Sequence, residues 1–559
     1  MTTRRFLSFI AVSGLSFVLW STWVQEHPPK ASPTETVSKS VNTGFDAPPV
    51  ISKASAAITK AQTPQLLDHK KVHGNHRIHV KTDVLALDID SKTGDITQSQ
   101  LLKYTKSVNN QTALTLLNTS QEQLYRATSG LQLQNGQVAK IYYQANKTDY
   151  TLAPGAHELT VTLQGTTADK SIAVTKTFTL ARNAYAVGVK YQVKNLKNTQ
   201  WEGRFYKQLI RKNVPQNKHL FEAHSYEGAS MSSHQHPYEK VTFDQMAKEN
   251  LDRTHAGGWI AMQQLYFLSA WVPESQLQKH HFYTKSQPID QMYMIGLLGP
   301  VVTIAPRASH TFSAILYTGP ELTGRLAQLA PGLDRTVDYG WLWWISSIIF
   351  WLMSSIHAFV GNWGWAIVIT TIVIKFLLYP LSAASFRSMA KMRELQPKIQ
   401  ALKERYGDDR QAMSRATMEL YQKEKINPIG GCLPMLIQVP IFIGLYYVII
   451  ESVQLRQAPF FGWIVDLSVR DPYFILPILM GISMLIQQQL TPSAPDPAQA
   501  KMMMVVPVVF TVFFINFPAG LTLYWLVNNV VQILQQWYVT QKTKGQATHT
   551  ARKTRRKKK

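Results

Sequence analysis

The chain has 559 residues, and its 58 Lys plus Arg outnumber 34 Asp plus Glu, giving a formal net charge of +24. Its mean hydropathy of −0.11 resembles that of a soluble protein, but it averages a polar part up to about Leu333 with runs of Ile, Leu, Val, Phe, Met and Trp between Trp341 and Val539. A single cysteine, Cys432, excludes an intrachain disulfide, so any domain outside the cytoplasm must stand on its own core.

Arg4 and Arg5 lead into an apolar run, Phe6–Val24, long enough to span a bilayer. No small-x-small cleavage pattern follows, so residues 1–24 read as an uncleaved signal anchor with a cytoplasmic N-terminus; a cleaved signal is the alternative. Residues 25–75 are rich in Pro, Ser, Thr, Lys and Ala and predict a flexible tether. Alternation begins at His76, as in Ile78–Val84, Glu158–Leu163, Lys176–Leu180 and Ala184–Tyr191, with a turn at Ser91–Asp95. Many short strands with few helical patterns predict an all-β sandwich over residues 76–332.

Residues 333–360 carry Trp341, Trp343, Trp344 and Trp351 among aliphatics and predict an amphipathic helix at the membrane–water boundary. Within residues 361–540, five spans are predicted: Trp363–Leu381, Leu433–Ile450, Tyr473–Leu490, Met502–Phe517 and Leu521–Val539. With the N-terminal run this makes six, so both termini share a side. The segment Arg387–Ile426 holds ten basic residues. By the positive-inside rule it is cytoplasmic, and the β-domain lies outside. The apolar stripe Met389, Met392, Leu395, Ile399, Leu402 and Tyr406, the turn Gly407–Asp409 and a returning helix predict a cytoplasmic hairpin over 384–426, with Pro397 bending or breaking its first helix. The tail, 541–559, has nine Lys or Arg and no acid. Self-repulsion predicts disorder and affinity for RNA or anionic lipid; serving as a cytoplasmic topology signal is a compatible reading.

No nucleotide-binding glycine loop and no His-Glu-x-x-His motif is present. His234, His236, His280 and His281 read as surface histidines rather than zinc ligands. The spans are almost free of acid, so intramembrane catalysis is unsupported, and no cofactor or metal is expected. They do contain Lys375, between Ile372–Ile374 and Phe376–Leu378. A charge at bilayer depth costs about 2.5–3.5 kcal/mol on insertion scales and usually faces a wet cavity or a partner; snorkelling towards headgroups is the other reading. Thr371 lies one turn earlier on the same face. Trp525, Asn529, Gln532 and Gln536 recur at helical spacing, with Asn528 and Gln535 beside them and Gln438 in another span. Such polar residues commonly act as interhelical glue. Combined with an unneutralised lysine, they point to a wet, positive groove. The Met502–Val506 and Phe510–Phe517 runs suit contact with varied apolar partners or with lipid.

Several segments resemble the YidC family of bacterial membrane protein insertases: Tyr379–Leu381, Ser388–Met392, Leu395–Ile399, Asn427–Pro434, Gln438–Phe442 and Val337–Trp343. Val80–Leu85 and Gly257–Met262 are similar to its long Gram-negative form. The resemblance implies a periplasmic β-supersandwich of galactose-mutarotase-like shape and a helical bundle around a hydrophilic groove open to cytoplasm and lipid. It places Lys375 at the groove's positive position and makes Thr371 and Trp525 similar to positions that contact the nascent chain; with the polar stripes, the expected groove set is Lys375, Thr371, Trp525, Tyr524, Gln438, Asn528, Asn529 and Gln532. Implied partners are nascent membrane proteins, the Sec translocon, the ribosome and signal-recognition pathway, and membrane lipids. The family usually has arginine where this chain has Lys375; lysine keeps the charge but loses the forked hydrogen bonding. Two other classes compete. A secondary transporter predicts inverted repeats, which are not visible. An outer-domain enzyme or sugar binder would reduce the helices to an anchor.

Overall fold

The computed structural model describes residues 45–49, 77–214, 226–407, 409–424, 433–490 and 497–557. The predicted anchor, most of the tether and Cys432 lie outside these residues.

Strands run from Arg77 to Pro320 in two sheets, of eleven and nine strands. Side-chain alternation explains them. Arg77–Lys81 turns Ile78 and Val80 inward between exposed neighbours, and Ile172–Ala181 buries every second residue. In the nine-stranded sheet, Ala186–Asn195 pairs antiparallel with Ile172–Ala181 and with Ser309–Pro320. In the other, Trp201–Lys212 lies between Tyr125–Leu133 and Met292–Leu298. Val189, Tyr191, Leu209, Phe282 and Leu316 belong to the single apolar core between the sheets. His280 and His281 are not surface residues. Their strand, Lys279–Gln287, is buried on both faces, and His281 Nε2 lies 3.3 Å from Asp252 Oδ1. The tether reading also needs correction, because Phe45–Pro49 packs onto the β-domain.

The helical region begins with α1 (Trp343–Val360), α2 (Trp363–Leu377), α3 (Tyr379–Tyr406) and α4 (Arg410–Lys423). It continues with α5 (Leu433–Glu451), α6 (Ile475–Leu490), α7 (Pro497–Phe514) and α8 (Ala519–Lys557). Gly361, at φ +67°, closes α1, and Asn362 caps α2 by accepting from the Trp365 amide at 3.1 Å. A second core of Ile349, Ile367, Val448, Met480, Phe514 and Leu521 holds these helices together, and α8 packs against α2, α3, α5 and α6. At Gly481 of α6, an added Cβ would sit 2.1 Å from Thr511 Oγ1 of α7, so only glycine allows this approach.

Three expectations change. The span predicted through Leu381 stops at Leu377 and resumes in α3 after a 66° bend. Pro380 supplies no amide to the Phe376 carbonyl and disfavours helix at the preceding residue. Pro397, by contrast, sits inside α3 without ending it. The tail beyond 540 is not irregular: α8 continues to Lys557, since extending an existing helix is far easier than starting one. Among the described residues, Gly340–Val360 is the one helix long and apolar enough to cross a membrane alone. The bent pair α2–α3 also qualifies together, and Leu436–Glu451, Ile475–Leu490 and Met503–Phe514 are shorter apolar helices. On α1, Trp343, Trp344, Ile348, Trp351 and Phe359 are exposed, a face that needs an apolar environment.

The two regions are joined through the loop after α5. Val453 belongs to the β-domain core. Arg456 Nη2 donates to the carbonyls of Thr105 and Lys106 at 2.7 and 2.9 Å, and Thr105 Oγ1 donates to Gln457 Oε1 at 2.7 Å. Lys240 pairs with Asp338 on the linker.

Candidate functional site

Lys375 lies near the end of α2 and is only 6% exposed. Its Nζ donates to Gln532 Oε1 of α8 at 3.0 Å, and among the described residues no carboxylate forms an ion pair with it. The helix ends two residues later, leaving its last carbonyls without helical amides. Gln535 Nε2 donates to the Lys375 carbonyl at 3.2 Å. One turn of α8 therefore holds both the charge and the backbone of the lysine.

The other expected residues fall into four groups. Thr371 is buried beside α8, but its hydroxyl donates to the Ile367 carbonyl at 2.7 Å. Gln438 of α5 donates to Tyr524 of α8, and Trp525 stands edge-on to Phe442 with centroids 4.9 Å apart. Asn529 Nδ2 donates to Ser483 Oγ of α6 at 3.0 Å, so it ties α8 to α6 rather than facing the lysine. Asn528 is buried, and its Oδ1 has no hydrogen-bond partner; nor have Trp525 Nε1, Gln535 Oε1 and Thr370 Oγ1. Buried polar atoms left this way cost about 1–3 kcal/mol each, and three of them lie along α8.

Known proteins match along the whole length. The family model "60Kd inner membrane protein" matches residues 355–547, and "YidC periplasmic domain" matches residues 77–352. A membrane protein insertase YidC of Coxiella burnetii is 52% identical over 547 residues, 96% of each chain. One of Legionella pneumophila is 46% identical over 97% of each chain. The chain belongs to the YidC/Oxa1 membrane insertase family. It is a non-catalytic insertase and chaperone of membrane proteins linked to the Sec pathway, an inner-membrane protein with a β-rich periplasmic domain beside a helical membrane-associated region. A crystal structure of an active YidC insertase with its first transmembrane domain resolved is 18% identical, covering 84% of this chain and 93% of its own, with TM-score 0.39.

For a YidC protein, the polar residues that spacing does not single out are Thr370 and Ser483, whereas Gln535 belongs to the α8 stripe, three residues after Gln532. Ser483 had no such signal, because a lone serine in an apolar span is ordinary. The described residues contain no cluster of three or more His, Cys, Asp or Glu able to hold a metal ion.

Proposed function

We propose that this insertase works through the polar strip between α2 and α8, with Lys375, Thr371, Trp525, Tyr524, Gln438, Asn528, Asn529 and Gln532 around the path of the client. The observation that supports it best is Lys375 itself: buried among apolar helices, bonded to a neutral amide and, among the described residues, paired with no acid. Such a cation attracts acidic or polar stretches of an incoming chain. The unpartnered Trp525, Asn528 and Gln535 atoms offer it replacement hydrogen bonds, so a short polar segment crosses without full desolvation. The apolar part then leaves along the exposed Met504, Val505, Val508 and Val512 of α7 into lipid.

In this reading the protein has six spans, with Phe6–Val24 as the first and α1 lying at the outer interface. Both termini and the α3–α4 hairpin (within 384–426) are cytoplasmic, where the hairpin and basic tail (541–559) receive clients from the ribosome and signal-recognition pathway. Residues 25–75 are a tether held to the β-domain at Phe45–Pro49, 76–332 the outer domain, 333–360 the interfacial helix and 361–540 the insertase core. The test is reconstitution in liposomes with a small two-span client. Lys375→Ala is expected to lower insertion about tenfold, the effect of about 1.4 kcal/mol, and Lys375→Arg to restore it. Equal activity of all three chains would refute the role of the charge.

A further inference from the structure

Trp201–Lys212 is buried on both faces, although only one faces the sandwich core. Phe205 and Leu209 point into that core, while Tyr206 and Ile210 point outward and cluster with Tyr283, Met294 and Leu298. This outer face of the eleven-stranded sheet is shaped as a trough. Tyr206 pairs across the ladder with Gly130, and Tyr283 with Gly296. A Cβ at either glycine would come within 2.8 or 2.1 Å of the opposing aromatic side chain, so the glycines let both rings lie along the sheet instead of standing off it.

Phe45–Pro49 fills the trough. Phe45 packs on the Tyr206 cluster, and Pro48 and Pro49 are buried. Three consecutive carbonyls are read by side chains. Lys285 Nζ donates to the Ala47 carbonyl at 2.5 Å, and Gln132 Nε2 donates to those of Pro48 and Pro49 at 3.3 and 3.0 Å. Gln132 is itself 2% exposed and also donates to the Gly136 carbonyl at 3.1 Å. Arg126 Nη2 lies 3.2 and 3.3 Å from the two Asp46 carboxylate oxygens. Donors directed at carbonyls suit a ligand that has carbonyls to offer and few amides. Proline has no N–H to strand on burial and is already restricted to an extended φ, so a Pro-Pro segment is buried with no orphan donor and little lost entropy.

We infer that the outer face of this sheet is a peptide-binding trough for an aromatic–acidic–Ala–Pro-Pro segment that turns at its aromatic end, and that its resident ligand is the chain's own Phe45–Pro49. The strap divides the tether. From residue 24 to Phe45 the chain can reach at most about 70 Å, against about 180 Å from residue 24 to Arg77. The anchored domain is thereby kept close to the N-terminal apolar segment.

The test uses the full-length chain in nanodiscs with p-benzoylphenylalanine at position 45. Irradiation is expected to give an intramolecular adduct on the peptides carrying Tyr206–Ile210 or Met292–Leu298. Gln132→Ala with Lys285→Ala should lower its yield at least fivefold, as should an excess of synthetic peptide spanning residues 43–51. Should the double variant unfold the β-domain, Asp46→Lys with Pro48→Gly tests the same contacts from the tether side and leaves the domain untouched. Adducts mainly elsewhere in the chain, or a yield unaffected by either pair of substitutions, overturn the inference.

Discussion

The β-domain and the helical core distribute their unpartnered polar groups differently. In the β-domain some deep polar groups are enclosed by partners: Asn195 Nδ2 donates to the carbonyls of Thr199, Ile304 and Ala305 at 2.7, 3.1 and 3.2 Å. The Lys176 ammonium lies 5.1 and 4.7 Å from the ring centres of Phe178 and Tyr191. Its unpartnered atoms, such as Trp201 Nε1 and Ser230 Oγ, are scattered over separate strands. In the core, three of the unpartnered atoms follow one helix, at Trp525, Asn528 and Gln535, beside a lysine bonded to a neutral amide. A fully partnered polar group specifies a fold. An under-partnered row on one helix is costly unless something satisfies it, which is the part the proposed client plays.

That contrast can be broken by substitution. Asn195→Leu leaves the buried Ile304 carbonyl without this donor and removes it from the part-buried carbonyls of Thr199 and Ala305, so the β-domain is expected to lose about 1–3 kcal/mol, read as faster hydrogen exchange over Ile172–Asn195. Gly481→Val drives a side chain into Thr511, and thermal unfolding in detergent should show a loss of about 1–3 kcal/mol from the core. Asn528→Leu should change core stability by less than about 1 kcal/mol while lowering liposome insertion several-fold. If it destabilises as Asn195→Leu does, the polar row is structural glue. The smallest effect concerns pH. Burial, with Lys207 nearby, pushes His280 down to about 4, and burial pushes Lys207 down to about 7. In both cases the unfolded chain holds the proton that the folded one has released. Stability of the β-domain is therefore lost as pH falls, from about 10.5 to 7 through Lys207 and from about 6.5 to 4 through His280. His280→Asn should flatten the acid part of the hydrogen-exchange profile and Lys207→Met the alkaline part.

Much of this was legible from residue order. Period-two alternation marked the strands of the β-domain, and Lys375 was conspicuous against its apolar neighbours. What escaped had physical causes. The strand holding His280 and His281 is buried on both faces, which erases alternation and lets two polar residues pass for surface. The bend after Leu377 was signalled by Tyr379–Pro380, but unbroken apolarity through Leu381 masked it. Phe45–Pro49 has no periodicity because a turn running into two prolines has none to show. Its one cue was an aromatic residue in a polar stretch. Pairings such as Asn529 with Ser483 depend on how helices rotate against each other, which spacing within one helix does not encode.

The length of α8 has a mechanical meaning. Its 39 residues make a rod of about 58 Å, while the hydrocarbon layer is about 30 Å thick. The surplus carries the chain's densest positive charge from Lys542 onwards. A disordered tail would spread that charge as a diffuse cloud. A rod continuous with the helix that bonds Lys375 holds it at a set bearing and distance, so a polyanion that seizes the far end pulls on the same helix that lines the proposed groove.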